Sequence, residues 1–447
     1  MEIVMDDARA RLASTPFPSV SNHIKNDPTP KDQAVYVPSI SPGYAIDIYN
    51  QDWKRPLAAG LAPNGLNFLD PANRNFFHIS HVMSSAGQVL LSKRYKQSDC
   101  IITKRDRDST VLICDSGGYQ IASGRLHLND DNDRLEILRW QEKHANIAIG
   151  LDAPTGPIGD PAYKYKTFEK CLEETLYNLR FYDKWRSRDD VLFLNVLQGN
   201  TSQQCETWYQ AVKHFKWEGW AIAGPRRHNI NQFLHRILTM YEDGNIQDKK
   251  WLHVLGTCEL ETAVLLTRIQ RSINEHMNKD LRVSYDTSSP SRIMAVNQIY
   301  TLPSFEGGKM TMPTLSIPDG FEFMREPGAS KFWPWPSPLG NVMTMGDVCA
   351  DRDMNKSTRR DKLSNYYMTH HNLGALCWGI ALSNRVLDAH TISGQRSFAP
   401  KIVEAVERID EVLESNNPAV LRKHAAFFDQ LRRGKVDDGG EEDRCFD

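Results

Sequence analysis

The chain has 447 residues and a 25% share of charged side chains, so it can bury one large core with insertions or two smaller ones. Its formal net charge of −2 gives no global attraction for a polyanion, and any nucleic-acid contact must come from local basic patches. No apolar run reaches the roughly 18 residues of a membrane span, and residues 1–13 carry Glu2, Asp6 and Asp7, which predicts a cytoplasmic protein with no membrane partner and no secretory leader.

Residues 1–75 are rich in Pro, Asn and Asp without a sustained period, and predict an N-terminal wrapping segment. Phe76–Ser80 is the first strand candidate. Ser80 and His81 at its end either face a functional pole or are satisfied inside the core. Six short apolar runs follow, each ending in Asp, Gln or Gly: Val111–Asp115, Ile147–Asp152, Leu192–Gly199, Trp220–Gly224, Leu252–Gly256 and Val283–Asp286. Helical segments lie between them. In Phe168–Trp185, for instance, Leu172, Leu176, Leu179 and Tyr182 recur on one helical face. Strand then helix, repeated about every 30 to 45 residues, is the pattern of a parallel α/β architecture. Six units in a row favour a (β/α)8 TIM-type barrel, with its core at 76–296, over a doubly wound sheet, which periodicity alone leaves open.

From 297 to 345 the pattern breaks into a Pro-rich insertion around Phe332-Trp333-Pro334-Trp335, too long for a plain loop and expected to form a small sheet or a binding element. Helical periodicity returns in 346–434, from Ser364 to Leu387, Ile402 to Leu413 and Pro418 to Leu431, a C-terminal part expected to complete the barrel. The acidic stretch 435–447 reads as a disordered tail.

The segment Val111-Leu-Ile-Cys-Asp-Ser-Gly-Gly-Tyr-Gln120 carries most of the chemistry. An apolar strand stops at Asp115, and Ser116-Gly117-Gly118 lets backbone come close to a ligand. A tight strand-to-helix turn with Asp115 as a helix cap is the plainer alternative. If the strands are parallel, Asp115, Asp152, Gln198 and Asp286 share one pole. Two carboxylates with separate roles are what displacement at an anomeric carbon requires, one as nucleophile and one moving a proton. Arg292, six residues after Asp286, could steady a phosphate or the carboxylate. Four small basic clusters are candidates for phosphate contact or for solvated faces: Lys93-Arg94-Tyr95-Lys96, Arg226-Arg227-His228, Arg268 with Arg271, and Arg359-Arg360 with Lys362.

These motifs resemble the tRNA-guanine transglycosylases and their relatives, the 7-deazaguanine DNA transglycosylases. Asp115-Ser-Gly-Gly-Tyr-Gln120 is similar to the family's Asp-Ser-Gly-Gly-Phe-Gln, and the Asp286…Pro290…Arg292 spacing matches. Between them, in the family's order, stand Gly150-Leu-Asp152, Val196-Leu-Gln198-Gly199, Ala221-Ile-Ala-Gly224 and Leu255-Gly256-Thr257. A weaker echo is Tyr367-Met-Thr-His370-His371.

The resemblance implies base exchange through a covalent enzyme–sugar intermediate, requiring no cofactor. Asp286 is implied as the nucleophile and Asp115 as the general acid/base. Ser116, Tyr119, Asp152, Gln198, Gly199, Gly224 and Gly256 are implied to form the base site, with Asp152 and Gln198 reading the guanine edge and Tyr119 stacking on it. Arg292, Arg226, Arg227, Lys93 and Arg94 are candidates for holding the polynucleotide.

The chain departs from the tRNA enzymes in lacking their CxCxxC-plus-His zinc set. Cys349, His370, His371 and Cys377, with His390, are only weak candidates for a degenerate structural zinc site, since their spacing is not that of a zinc module and buried Cys and His in helices are the better account. That departure, the N-terminal segment and the insertion favour DNA as the polymer and a 7-deazaguanine such as 7-cyano-7-deazaguanine as the small substrate. The alternatives are a tRNA substrate, a catalytically silent nucleic-acid-binding homologue, or a small-molecule barrel enzyme. Homodimerisation is left open.

Overall fold

The computed structural model describes residues 32–58, 61–73, 77–224, 229–317, 333, 339–340, 343–349, 361–393 and 399–431. Eight strands form one parallel sheet: β1 (Val35–Pro38), β2 (His81–Ser85), β3 (Val111–Asp115), β4 (Ile147–Ile149), β5 (Leu192–Leu197), β6 (Gly219–Ile222), β7 (Trp251–Val254) and β8 (Arg282–Thr287). From β2 to β8 each strand pairs with the next in sequence, and β1 pairs with β8, Val37 lying opposite Asp286. A bridge between Ser39 and Met83, with the Ile40 N–H donating to the Met83 carbonyl at 3.1 Å, brings β1 against β2 and nearly closes the ring. This is an α/β fold, the (β/α)8 TIM-type barrel.

Alternation along the strands divides the core in two. Val35, Val37, Met83, Val111, Ile113, Ile147, Ile149, Leu194, Val196, Ala221 and Trp251 fill the barrel interior. Neighbouring positions such as Tyr36, Leu112, Phe193 and Tyr285 point outward and pack under the helices. The helices start where side chains supply the first-turn N–H groups with acceptors. Thr167 caps Phe168–Trp185, Thr201 caps Ser202–Val212 and Asn229 caps Ile230–Glu242. The buried Gln141, on the helix Asp131–His144, staples β3 to β4 from outside by donating to the carbonyls of Cys114 (3.2 Å) and Ile149 (2.9 Å).

Two expectations shift. The first barrel strand is Val35–Pro38, inside the stretch that reads as a wrapping segment. It has four residues, all buried and the last a proline, so neither alternation nor length marks it. The strand expected at Phe76–Ser80 lies at His81–Ser85, with three serine or histidine side chains among its five residues. His81 therefore stands at the amino end of β2, where the Ser80 hydroxyl bonds its Nδ1 at 3.0 Å, away from the pole that carries Asp115.

The insertion contains a small antiparallel sheet of Gln298–Tyr300 and Thr314–Ser316. Trp333 is buried, donates to the Thr344 carbonyl and meets the His371 ring edge-on, while Phe332, Pro334 and Trp335 lie outside the described residues. Helices Lys362–Ser393 and Pro400–Ser415 pack on the helix Leu260–His276, and Pro418–Leu431 packs on Ile230–Glu242. Residues 435–447 lie outside the described residues. Among the described residues no helix is long and apolar enough to cross a membrane.

Candidate active site

The carboxyl ends of β3, β4, β5, β6, β7 and β8 gather the Asp, Gln and Gly residues that the apolar runs end in. Asp286, on β8, is mostly buried, and its position opposite Val37 turns it into the barrel mouth. Its Oδ1 accepts the Gly256 N–H at 2.7 Å and lies 3.3 Å from His253 Nε2. Oδ2 has no hydrogen-bond donor among the described residues. Gly256 adopts a left-handed φ of 70°, and the turn it makes after β7 aims that N–H at the carboxylate.

Asp115 ends β3 with the same parity as Val111 and Ile113, and it pairs in register with Ser85 of β2. Its Oδ2 accepts the Gly117 N–H at 3.1 Å. The short helix Gly118–Ala122 is capped by Gly117 rather than by Asp115, so the plain capping role does not account for this carboxyl. Gly117 has a φ of 113° and its missing Cβ would come within 3.0 Å of the Gly87 backbone, which explains glycine at this point of the turn. Burial pushes the Asp115 carboxyl above the usual range. Hydrogen bonds from Ser85 and the Gly117 N–H oppose the shift, and the neighbouring charge of Asp286 adds to it.

Asp152 follows β4 and is 4% exposed. Burial pushes it up to about 7, against the Gln198 hydrogen bond, and the charge of Asp115 raises it further. Gln198 Nε2 donates to Asp152 Oδ2 at 2.7 Å. Behind this pair, Thr155 Oγ1 accepts the Gly199 N–H at 3.2 Å and lies 3.1 Å from Asn200 Oδ1. Gly199 holds a φ of 127°, and a Cβ there would sit 2.6 Å from the Cys205 backbone nitrogen. Gly224, with a φ of 73°, comes so close to Gly199 that a Cβ would stand 3.4 Å from the Gly199 carbonyl oxygen and 3.7 Å from Gln198 Oε1. Asp115, Asp152, Gln198, Gly199, Gly224, Gly256 and Asp286 thus come together at one pole.

The remaining site residues take varied places. Ser116 is fully buried and its hydroxyl donates to the Gly150 carbonyl at 3.1 Å, so it ties β3 to β4. Tyr119 stands on the first turn after Gly118 and is 37% exposed. Arg292 lies on the helix Ser289–Ala295 with Nη2 3.4 Å from Ser289 Oγ. Lys93 is exposed. Arg94 is bound to acids of the fold, at 2.5 Å from Asp47 and 3.1 Å from Asp52. Lys362 pairs with the same two aspartates, Arg268 with Asp410, and Arg271 with Asp32 and Asp388. These cations bind elements of the barrel to one another. Arg226, Arg227, Arg359 and Arg360 lie outside the described residues.

Among the described residues no group of three His, Cys, Asp or Glu side chains is arranged to hold a metal. His370 stacks on Phe77 and lies 3.4 Å from the Tyr44 hydroxyl, and His371 Nε2 lies 2.9 Å from the Tyr300 carbonyl. Burial holds both imidazoles neutral, pushed down to about 3 and about 4, and raises the Cys377 thiol to about 12. The side chains of Cys349 and His390 lie outside the described residues.

Sequence reasoning missed His253, Ser284, Trp251, Ser85 and Thr155. A histidine inside the apolar run Leu252-His-Val-Leu reads as core, and its partner Ser284 is thirty-one residues away. No protein-family model matches the chain, and no curated protein matches it.

Proposed function

We propose that the chain is a base-exchanging transglycosylase, a pentosyltransferase that replaces guanine in DNA with a 7-deazaguanine such as 7-cyano-7-deazaguanine. The observation that supports this reading is three aspartates at one barrel mouth in three environments. Asp286 has one oxygen occupied and one open, Asp115 is biased towards its protonated form by burial, and Asp152 is joined to an amide. A carboxyl biased towards its protonated form, beside one that keeps an open oxygen, can divide the roles of acid and nucleophile between them.

In the first half of the exchange, Asp286 Oδ2 attacks the anomeric carbon. The bond from that carbon to the purine breaks, its electron pair goes to the purine nitrogen, and the Asp115 proton neutralises the departing base. In the second half the incoming base gives its proton to the Asp115 carboxylate, its nitrogen attacks the anomeric carbon, and the bond to Asp286 breaks. Two inversions retain the sugar's configuration. Asp152 accepts from the N–H groups of the purine edge, and the Gln198 amide nitrogen keeps a second hydrogen for an acceptor on the same edge. The base must leave the stack to reach them.

The choice of DNA over tRNA is supported by the missing CxCxxC set and by the N-terminal segment and insertion. The test offers radiolabelled guanine with duplex DNA, single-stranded DNA or bulk tRNA. Label is expected in DNA and absent from DNA with Asp286→Ala. Label in tRNA alone would overturn the polymer, and label in no polymer would overturn the chemistry in favour of a silent homologue.

A further inference from the structure

A file of three side chains runs through the barrel interior to the proposed nucleophile, which a backbone N–H meets from another side. Trp251 Nε1 donates to Ser284 Oγ at 2.6 Å, Ser284 Oγ lies 2.7 Å from His253 Nδ1, and His253 Nε2 lies 3.3 Å from Asp286 Oδ1. The Gly256 N–H reaches the same Oδ1 at 2.7 Å. His253 is fully buried, and in register it sits opposite Ser284 on the neighbouring strand.

The donor inventory fixes the protons. An indole nitrogen is a donor only, so Ser284 Oγ accepts from Trp251 and has its own hydrogen to give. It gives that hydrogen to His253 Nδ1, the near atom able to accept. A neutral imidazole that accepts at Nδ1 carries its hydrogen on Nε2, which faces Asp286. The opposite tautomer would put a lone pair against the carboxylate and leave the serine hydrogen without an acceptor.

We infer that Trp251, Ser284 and His253 form a tautomer-setting relay. It makes His253, with the Gly256 N–H, a two-donor clamp on Asp286 Oδ1 and leaves Oδ2 as the attacking oxygen. The inference rests on the proposed transglycosylase reading for its consequence and on geometry alone for its existence. When Oδ2 bonds the anomeric carbon, Oδ1 becomes the carbonyl oxygen of the ester; when the base returns, Oδ1 shares the recovered negative charge. The clamp is in place before either step, the condition under which fixed donors lower a barrier. No proton passes from His253 to Asp286 in either direction. His253 is a positioning residue, since it acts through Asp286.

The test has one arm without substrate and one with it. In protein labelled with 15N-histidine, the resonances lost in His253→Gln identify the ring, which should carry hydrogen on Nε2 and none on Nδ1 at neutral pH. In single turnover with DNA, His253→Leu should slow trapping of the covalent adduct about 100-fold with guanine binding unchanged. His253→Gln, which restores an N–H near Oδ1, should recover at least tenfold of that loss. Ser284→Ala, which touches neither Asp286 nor a substrate, should also slow adduct formation. A protonated Nδ1, wild-type adduct rates in His253→Leu, or glutamine no faster than leucine would each overturn the relay. If the wild type forms no adduct with any polymer, the transglycosylase reading fails, and the nitrogen measurement still decides the relay.

Discussion

Gln198 Nε2 donates to Asp152 Oδ2 at 2.7 Å and joins the ends of β5 and β4 through a carboxyl that burial pushes up to about 7. An unfolded aspartate ionises near 3.9, so between about pH 4 and 7 the folded protein holds a proton that the unfolded chain has lost. Stability therefore falls as pH rises through this window, by up to roughly 4 kcal/mol from this group alone, and the penalty is complete above about 7. Asp152→Asn removes the ionisation and keeps an amide oxygen for Gln198. Chemical denaturation from pH 4 to 7.5 should show a shallower decline in the variant, and parallel curves would refute the buried, proton-holding Asp152.

The turn behind that pair predicts a second outcome. Gly199 has a φ of 127°, and a Cβ there would lie 2.6 Å from the Cys205 nitrogen and 2.7 Å from its Sγ. Gly199→Ala must strain the backbone and push back the start of the helix Ser202–Val212, at a cost of about 2 to 4 kcal/mol. Because Gly199 follows Gln198 directly, base discrimination should weaken with stability. A variant that melts like wild type would show that the turn accommodates a side chain.

What could be read from the chain beforehand divides along physical lines. Runs such as Val111–Asp115 and Leu192–Gly199 announced their strands because they are apolar and end abruptly, and the parallel order followed from the helices between them. Val35–Pro38 gave no such signal. It becomes a strand by pairing with β8, nearly 250 residues on, and that contact has no local trace. The carboxyls and glycines gathered at this pole were legible as the ends of apolar runs, because backbone turns and charge leave residue-type signatures, while the roles expected of them come from the resemblance. His253 was not, since its role depends on a serine and a tryptophan that meet it only across a register. Nor does a cluster of basic residues reveal that Arg94 and Lys362 are taken by Asp47.

That last contact carries a third prediction. Asp47 is 2% exposed and is held below the usual carboxylate range, against burial, by Lys362, Tyr366 and Arg94. Arg94→Ala should lower stability modestly, by about 1 kcal/mol, since the arginine side chain is half exposed. It should leave the salt dependence of DNA binding as it is. Arg292→Ala, on the helix that follows the strand of the proposed nucleophile, should reduce the slope of log affinity for DNA against log salt by about 0.9 if Arg292 holds the polynucleotide as proposed. Titrations at four salt concentrations measure both, and a reduced slope in Arg94→Ala would return that residue to the polynucleotide surface.

The raised Asp115 carboxyl predicts opposite pH dependences for the two halves of the exchange. In the proposed exchange adduct formation consumes the Asp115 proton, so its rate should fall as pH climbs through the Asp115 pKa. The limb should sit above the ordinary carboxylate range, because burial and the charge of Asp286 both favour the protonated form. Adduct resolution by an incoming base needs the ionised carboxylate, and its rate should rise over the same interval. Rapid-quench measurement of trapped adduct, and of its decay on adding guanine, separates the two limbs. In Asp115→Asn neither limb remains, while Asp286 keeps its hydrogen bonds from Gly256 and His253 and slow adduct formation should persist without pH dependence. Parallel limbs in the wild type would show that a group other than Asp115 moves the proton.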